Sequence, residues 1–172
     1  MANYHFYRIK DRDTRYTAPA IYYYAHIAYE KENYQTALQE FKRLSEDQTF
    51  SVVVPYYITQ IYFYQEKYDQ VITYGKELLE TASVKRKPEI SKLIGESYYR
   101  KNQYAEALPY LKTFNEKGSK TGRKDKYQLG FTYYKLDSLN KAIEFFEIVT
   151  GEDDELSQNA YYHLADCYLK TG

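Results

Sequence analysis

Several residue types are scarce in this chain of 172 residues. A single cysteine, Cys167, leaves no partner for a disulfide within the chain. The 24 basic residues are matched by 24 acidic ones. A neutral chain has no general electrostatic attraction to nucleic acid or to an anionic membrane, so neither partner is expected. The apolar runs fall far short of the roughly 18 residues that span a bilayer, which predicts no direct membrane insertion.

Motifs that carry chemistry are also missing. The chain contains no glycine-rich phosphate loop, no nucleophile elbow and no paired-histidine metal motif. His163, Asp166 and Cys167 have a spacing that can place metal ligands on one helix face, but the remaining histidines, His5 and His26, are far away in sequence. We therefore predict a protein that is not an enzyme and has neither a cofactor nor a metal.

Tyrosine, by contrast, is abundant, with 24 residues beside 8 phenylalanines and no tryptophan. A core built from tyrosine must place many hydroxyls at water or at a partner. An elongated architecture suits this requirement, because every residue in it lies close to a surface.

A sequence pattern recurs about every 35 residues. It reads ENYQTAL (32–38), EKYDQVI (66–72), NQYAEAL (102–108) and DSLNKAI (137–143). An upstream set of mostly small residues recurs in step: Ala25, Thr59, Gly95, Gly130 and Ala165. The pattern repeats at spacings of 34, 36 and 35 residues and the upstream set at 34, 36, 35 and 35, so two independent series indicate the same repeat.

Each period predicts two helices, because apolar residues recur at three- and four-residue spacing on either side of a short polar break. So short a connection makes the two helices antiparallel neighbours. Gly95 and Gly130 fall in mid-helix, where glycine is unfavourable, and we expect a neighbouring helix to approach them closely. Pro109 falls inside a predicted second helix and is expected to bend it or to shift its start.

These residues resemble the tetratricopeptide repeat (TPR), in which a small residue is followed by tyrosine, then by tyrosine-x-x-alanine and an aromatic residue. The best matches are GESYYRKNQYAEALPYLKTF and GFTYYKLDSLNKAIEFFEIV. The resemblance implies an all-α fold, an α-α superhelix (TPR solenoid) of antiparallel helix pairs with about four full repeats plus a half repeat. The predicted boundaries are a remnant of a preceding helix and loop at 1–17 and repeats at approximately 18–50, 51–84, 87–121, 122–153 and 154–172, the last being the half repeat.

The tyrosine-rich composition of the repeats is similar to that of large bacterial multi-TPR proteins. Both ends of the chain are interpreted as cut. NYHFYRIK (3–10) is interpreted as the remnant of an earlier helix, and Leu164, Tyr168 and Leu169 lack a second helix to cover them, so the chain is predicted to be a fragment of a larger protein. The resemblance implies a bacterial periplasm or cell-envelope location if the full-length protein carries a signal peptide, and a cytoplasmic location otherwise.

The resemblance also implies a concave groove lined by the first helices. Carried over by position, the partner-binding residues are Tyr22, His26, Tyr29, Tyr56, Gln60, Phe63, Tyr64, Lys92, Glu96, Tyr99, Arg100, Tyr127, Phe131, Tyr134, Lys135, Tyr162 and Asp166. The carboxylate clamp known in some TPR proteins requires lysine and asparagine where this chain has tyrosine, histidine, glutamine and phenylalanine, so a clamp for an acidic tail is not expected.

An alternative for any of these rings is packing between adjacent repeats, since an aromatic stripe is more often core than site. Tyr62, Tyr98, Tyr133 and Tyr168 are assigned to the core. The leading hypothesis is a scaffold that binds a protein or peptide segment in the tyrosine-rich groove. The alternatives are self-assembly into a homo-oligomer, or a regulatory segment of a larger protein whose active domain lies elsewhere.

Overall fold

The computed structural model describes the backbone of residues 2–172 and the side chains of residues 4–172, and all regular structure within them is helical. The helices are α1 (Ala2–Ile9), α2 (Thr17–Glu30), α3 (Tyr34–Lys42), α4 (Val54–Tyr64), α5 (Tyr68–Thr81), α6 (Lys87–Arg100), α7 (Tyr104–Lys117), α8 (Arg123–Lys135), α9 (Leu139–Val149) and α10 (Glu155–Thr171). They form two compact units, Met1–Ala82 (unit 1) and Ser83–Gly172 (unit 2). No helix in the described part of the chain has both the length and the apolar character to cross a bilayer.

The turns inside the helix pairs share one conformation. The helices α2, α4, α6 and α8 are each followed by a left-handed residue with φ 57°, namely Glu32, Glu66, Asn102 and Asp137. The amide of the next residue donates to a carbonyl five residues back, as Asn33 does to Ala28 at 2.9 Å. This is the Schellman arrangement, which ends a helix and reverses the chain within a few residues. It produces the antiparallel pairs at the predicted breaks.

The core of unit 1 lies between α2, α3 and α4. Phe41 and Ile58 are fully buried within it, together with Val54 and Ile61. α1 packs on α2 through Phe6, whose ring stacks on that of Tyr23 with centroids 5.3 Å apart.

Unit 2 shows the close packing that the mid-helix glycines predict. A Cβ on Gly95 would lie 2.9 Å from Leu111 Cδ2 and 3.0 Å from the Leu111 backbone nitrogen, and one on Gly130 would lie 3.0 Å from Phe145 Cβ. The expected close approach of α7 and α9 is therefore confirmed. α7 begins at Tyr104 and continues through Pro109, so the proline does not shift the start of the helix.

The predicted core tyrosines differ in burial. Tyr98 and Tyr133 are only 8% and 5% exposed, because they stack on Tyr110 of α7 and Phe145 of α9. Tyr168 occupies the equivalent position in α10 but is 49% exposed, so its assignment to the core is wrong. The physical reason is that no helix in the described residues packs on this side of α10.

Candidate protein-binding faces

The predicted groove residues lie on the first helices of both units. The unit 1 ring face consists of Tyr22, His26, Tyr29, Tyr56, Gln60, Phe63 and Tyr64, on α2 and α4. The unit 2 ring face consists of Lys92, Glu96, Tyr99, Arg100, Tyr127, Phe131, Tyr134, Lys135, Tyr162 and Asp166, on α6, α8 and α10.

Tyr57, which is not among the predicted groove residues, joins the rings of the unit 1 face. Its ring lies 5.5 Å from that of His26 and 5.3 Å from that of Tyr29, and it stacks on Phe41 at 5.1 Å. A sequence signal for it exists, because aromatic residues recur 16 or 17 positions apart as Phe6 and Tyr23, Phe41 and Tyr57, and Phe146 and His163. In all three pairs the rings stack or lie in contact.

Tyr29 links the two first helices of unit 1. Its hydroxyl donates to Gln60 Oε1 at 3.3 Å, and Tyr34 stacks on Tyr64 with centroids 5.2 Å apart. Burial, followed by a hydrogen bond with Tyr64, raises the pKa of Tyr29 above its ordinary value, so the hydroxyl stays protonated and able to donate. Phe63 is turned toward the start of α5, where its ring lies 5.9 Å from that of Tyr68.

Phe131 is at the centre of the unit 2 face. Its ring lies 5.9 Å from that of Tyr99 on α6 and 5.1 Å from that of His163 on α10. On its own helix it contacts Tyr127 at 6.2 Å and Tyr134 at 6.0 Å. Contacts across three successive first helices hold these rings in place, so they form one aromatic cluster.

His163, whose spacing from Asp166 and Cys167 raised only the possibility of a metal ligand, belongs to this cluster. It stacks on Phe146 at 5.5 Å and contacts Tyr134 at 5.1 Å. Burial among the rings lowers the pKa of His163 below its ordinary value, so the imidazole is neutral at neutral pH. Its Nδ1 is buried and has no hydrogen-bond partner among the described residues.

A polar network lies at one end of the unit 2 face. Tyr134 donates its hydroxyl proton to Asp166 Oδ2 at 2.7 Å, and Lys170 Nζ lies 2.6 Å from the same carboxylate and donates to the Tyr134 hydroxyl at 3.2 Å. The bonds from Lys170 and Tyr134 hold the pKa of Asp166 below its ordinary value. Lys135 Nζ lies 5.3 Å above the Phe131 ring. This end of the face therefore combines aromatic surface with cations.

The opposite end has a second charged group. Lys92 Nζ forms an ion pair with Asp125 at 2.6 Å and lies 4.0 Å from Glu96, and it also lies 4.5 Å above the ring of Phe114. Burial raises the pKa of Glu96 above its ordinary value, despite the nearby ammonium group of Lys92. Lys92 and Glu96 are therefore partly committed to contacts within the unit.

Only some of the predicted residues are open to a partner. Tyr162 is 72% exposed and Tyr64 is 51% exposed, and Arg100 and Lys135 are also exposed. The other predicted groove residues are half-buried and offer edges or hydroxyls. Tyr64 is therefore the most open predicted residue of the unit 1 ring face, and Tyr162, Arg100 and Lys135 are the exposed ones of the unit 2 ring face.

The described residues contain no group of three or more histidine, cysteine or acidic residues that could hold a metal ion. Cys167 is fully buried, and burial raises the pKa of its thiol, so it stays protonated. His163 and Asp166 are occupied by the contacts described above.

Comparison with known proteins supports the fold. No protein-family model matches the chain, and no curated protein matches it. Among solved structures, YrrB, a TPR protein with an unusual peptide-binding site, aligns with a TM-score of 0.78 at 19% identity, over 96% of this chain and 83% of YrrB.

Two further solved structures align with this chain over most of its length. MamA from Desulfovibrio magneticus RS-1 aligns with a TM-score of 0.72 at 17% identity, over 90% of this chain and 85% of that one. A kinesin light chain with TPR-like repeats from Podosopora anserina aligns with a TM-score of 0.62 at 12% identity, over 94% and 90%. The antiparallel helix pairs and these alignments together show that this chain has the fold of a tetratricopeptide-repeat protein.

Proposed function

We propose that this chain is a non-catalytic scaffold that binds a peptide or protein segment on its ring faces. The observation that carries the proposal is the composition of the unit 2 ring face, where a fixed aromatic cluster adjoins exposed Tyr162, Arg100 and Lys135. Tyrosine and arginine are among the residue types that contribute most to protein interfaces. YrrB, which has the same fold, has a peptide-binding site, and this similarity supports the proposal.

The ring contacts also favour binding energetically. Phe131 and Tyr134 are held by neighbours on two other helices, so a partner loses little by ordering them. The charges at the ends of the face, Lys92 with Asp125 and Lys170 with Asp166, limit where a segment can lie. An extended segment or an amphipathic helix would place apolar side chains against the rings and polar groups against the hydroxyls.

Peptides selected from a phage-displayed random library on the immobilised chain provide the test. Their affinity would be measured by fluorescence anisotropy for the unaltered chain and for Tyr162→Ala and Arg100→Ala, at chain concentrations low enough for it to be monomeric. Each substitution removes an exposed contact without opening the core, so we expect affinity to fall by about tenfold. Unchanged circular dichroism would show that the fold is retained.

Tyr161→Ala is the matched control, since Tyr161 is a neighbouring tyrosine of the same helix that is 54% exposed on a different side. It should leave the affinity unchanged. Peptides that bind Tyr162→Ala/Arg100→Ala as tightly as the unaltered chain would show that the unit 2 ring face is not the binding site.

A further inference from the structure

The outer face of α10, formed by Leu164, Ala165 and Tyr168, is uncovered. In α8 the equivalent glycine and tyrosine, Gly130 and Tyr133, are buried under α9. Tyr133 is 5% exposed, whereas Tyr168 is 49% exposed. α10 thus leaves open the surface that is equivalent to the one α9 covers on α8.

α1 packs on the helix that follows it, α2, in the way that a second helix packs on the first helix of the next repeat. Phe6 stacks on Tyr23 of α2 at 5.3 Å, as Phe146 of α9 stacks on His163 of α10 at 5.5 Å. Both pairs are separated by 17 residues, so the positions of α1 can be matched one to one with those of α9.

This match places His5 of α1 at the position of Phe145 in α9. Phe145 stacks on Tyr133 of α8 with centroids 5.7 Å apart, and it covers the glycine of that helix. His5 is exposed, and its ring makes an edge contact with that of Tyr4 on the same helix. Its flat ring is therefore available to stack on a tyrosine such as Tyr168.

Charge supports the same pairing. Arg43 of α3 donates to the Lys10 carbonyl at 3.1 Å and pairs with Asp11 at 2.9 Å, so it binds the end of the preceding second helix. Arg8 of α1 lies 35 residues before Arg43, at the equivalent position. The end of α9 is followed by an acidic segment, 151–155, in which Glu152 and Asp154 pair with Arg123, so an arginine in that position would meet Asp153.

From these observations we propose that a second copy of this chain docks its α1 on the outer face of α10, as α9 docks on α8. His5 of one copy then stacks on Tyr168 of the other, and Arg8 lies beside Asp153. The contact is heterologous, so each copy can both donate α1 and receive one, and copies join head to tail. Association is weak, because α1 has 8 residues where α9 has 11.

Sedimentation velocity of the full chain over a wide concentration range tests the proposal. Ala165→Arg blocks the α10 face and His5→Glu blocks α1; both residues are exposed, so circular dichroism should stay unchanged. We expect each variant alone to associate at least about tenfold more weakly than the unaltered chain. Mixed together, the two variants should form a one-to-one pair, because α1 of the first still fits α10 of the second.

A charge exchange checks how the helices align. Arg8→Glu should weaken association, and Arg8→Glu combined with Asp153→Arg should restore it. Tyr162→Ala, on the unit 2 ring face, should leave association unchanged and serves as the control.

The proposal is overturned if the unaltered chain stays monomeric at every concentration, or if Ala165→Arg associates as the unaltered chain does. It is also overturned if the mixture of Ala165→Arg and His5→Glu fails to pair. A symmetric contact between two α10 faces would leave the mixture unpaired, because Ala165→Arg blocks one of the two faces. A charge exchange that does not restore association would show that α1 is not aligned as α9 is.

Discussion

At the scale of single residues, the turns within the helix pairs carry backbone strain. Glu32 and Glu66 adopt φ 57°, a region that costs a residue with a Cβ roughly 1–2 kcal/mol. Asn102 tolerates the same conformation better, because its short amide side chain can hydrogen-bond locally. The four turns therefore share one backbone geometry but differ in the free energy of strain that the left-handed residue adds.

Glu66→Gly should stabilise the chain. Glycine adopts the left-handed conformation without strain, and its greater freedom in the unfolded state cancels part of the gain, so we expect about 0.5–1 kcal/mol. Urea unfolding followed by circular dichroism measures the difference. Asn102→Gly is the control and should give a smaller gain; an equal or larger gain at Asn102 would contradict the explanation.

A second prediction at this scale concerns Glu96, whose pKa burial raises above its ordinary value. A raised carboxyl pKa means that ionisation is less favourable in the folded state than in the unfolded state. The free-energy penalty for ionising Glu96 in the folded chain is absent below the unfolded pKa of about 4.5. It grows as the pH rises from that value through the folded pKa, and it is complete above the folded pKa. Charged Glu96 therefore reduces stability at pH 7.

Glu96→Gln should remove this penalty and raise the Tm at pH 7 by a few degrees. Lys92 retains Asp125 as its nearer partner, so the variant does not leave an unpaired ammonium group. Near pH 4 the two proteins should melt at more similar temperatures. Thermal denaturation at both pH values makes the comparison, and a variant that is less stable than the unaltered chain at pH 7 would show that the pair with Lys92 outweighs desolvation.

At the scale of helices, close contacts and one arginine network hold unit 2 together. Arg123 at the start of α8 donates to the Val149 carbonyl at the end of α9, at 2.6 Å from Nη2, and to Asp154 at 2.7 Å from Nη1. Asp154 in turn caps α10 by accepting from the Ser157 amide at 2.8 Å. One side chain thus links three helices and satisfies a carbonyl that the end of α9 leaves open.

Gly95→Ala tests the close contact between α6 and α7. Alanine is the better helix former by about 1 kcal/mol, but the added Cβ would lie 3.0 Å from the Leu111 backbone nitrogen, which cannot move away as a side chain can. Overpacking of this kind costs roughly 1–3 kcal/mol, so after the gain in helix propensity we expect a net loss of stability of up to about 2 kcal/mol. Chemical denaturation measures it.

Ala165→Leu is the matched control for this prediction, because Ala165 occupies the equivalent position on the uncovered side of α10. At a concentration where the chain is monomeric, it should change stability by no more than about 0.5 kcal/mol. Equal losses at both positions would mean that helix-helix contact is not what makes Gly95 sensitive.

At the scale of the whole molecule, each unit has its own buried core. In unit 2, Ile94, Leu129 and Phe146 are no more than 1% exposed. Repeat folds draw stability from contacts between neighbouring helices, so a set of adjacent helices can keep most of its contacts when separated from the rest.

A chain of residues 83–172 is accordingly expected to be helical and to unfold cooperatively. Circular dichroism during thermal denaturation is the measurement, with Arg123→Ala in the same fragment as a variant expected to melt at a lower temperature. A fragment that lacks a cooperative transition would show that unit 2 depends on unit 1 for its fold.

The helix pairs and their small residues could be read from the sequence alone. Helical periodicity, polar breaks and repeated small residues such as Gly95 and Gly130 are local features, and each one constrains its own segment of chain. They were enough to predict an all-helical repeat fold, and the structure confirms it.

Only the tertiary structure decided which rings are covered and which are open. Tyr133 and Tyr168 have equivalent places in the repeat, yet only Tyr133 is buried, because burial depends on a neighbouring helix and not on the residue itself. The placement of Tyr57 and His163 among the rings, and the bonds of Asp166 to Tyr134 and Lys170, likewise depend on helix packing. A repeating pattern specifies how helices pair, whereas side-chain contacts between helices specify which surface remains for a partner.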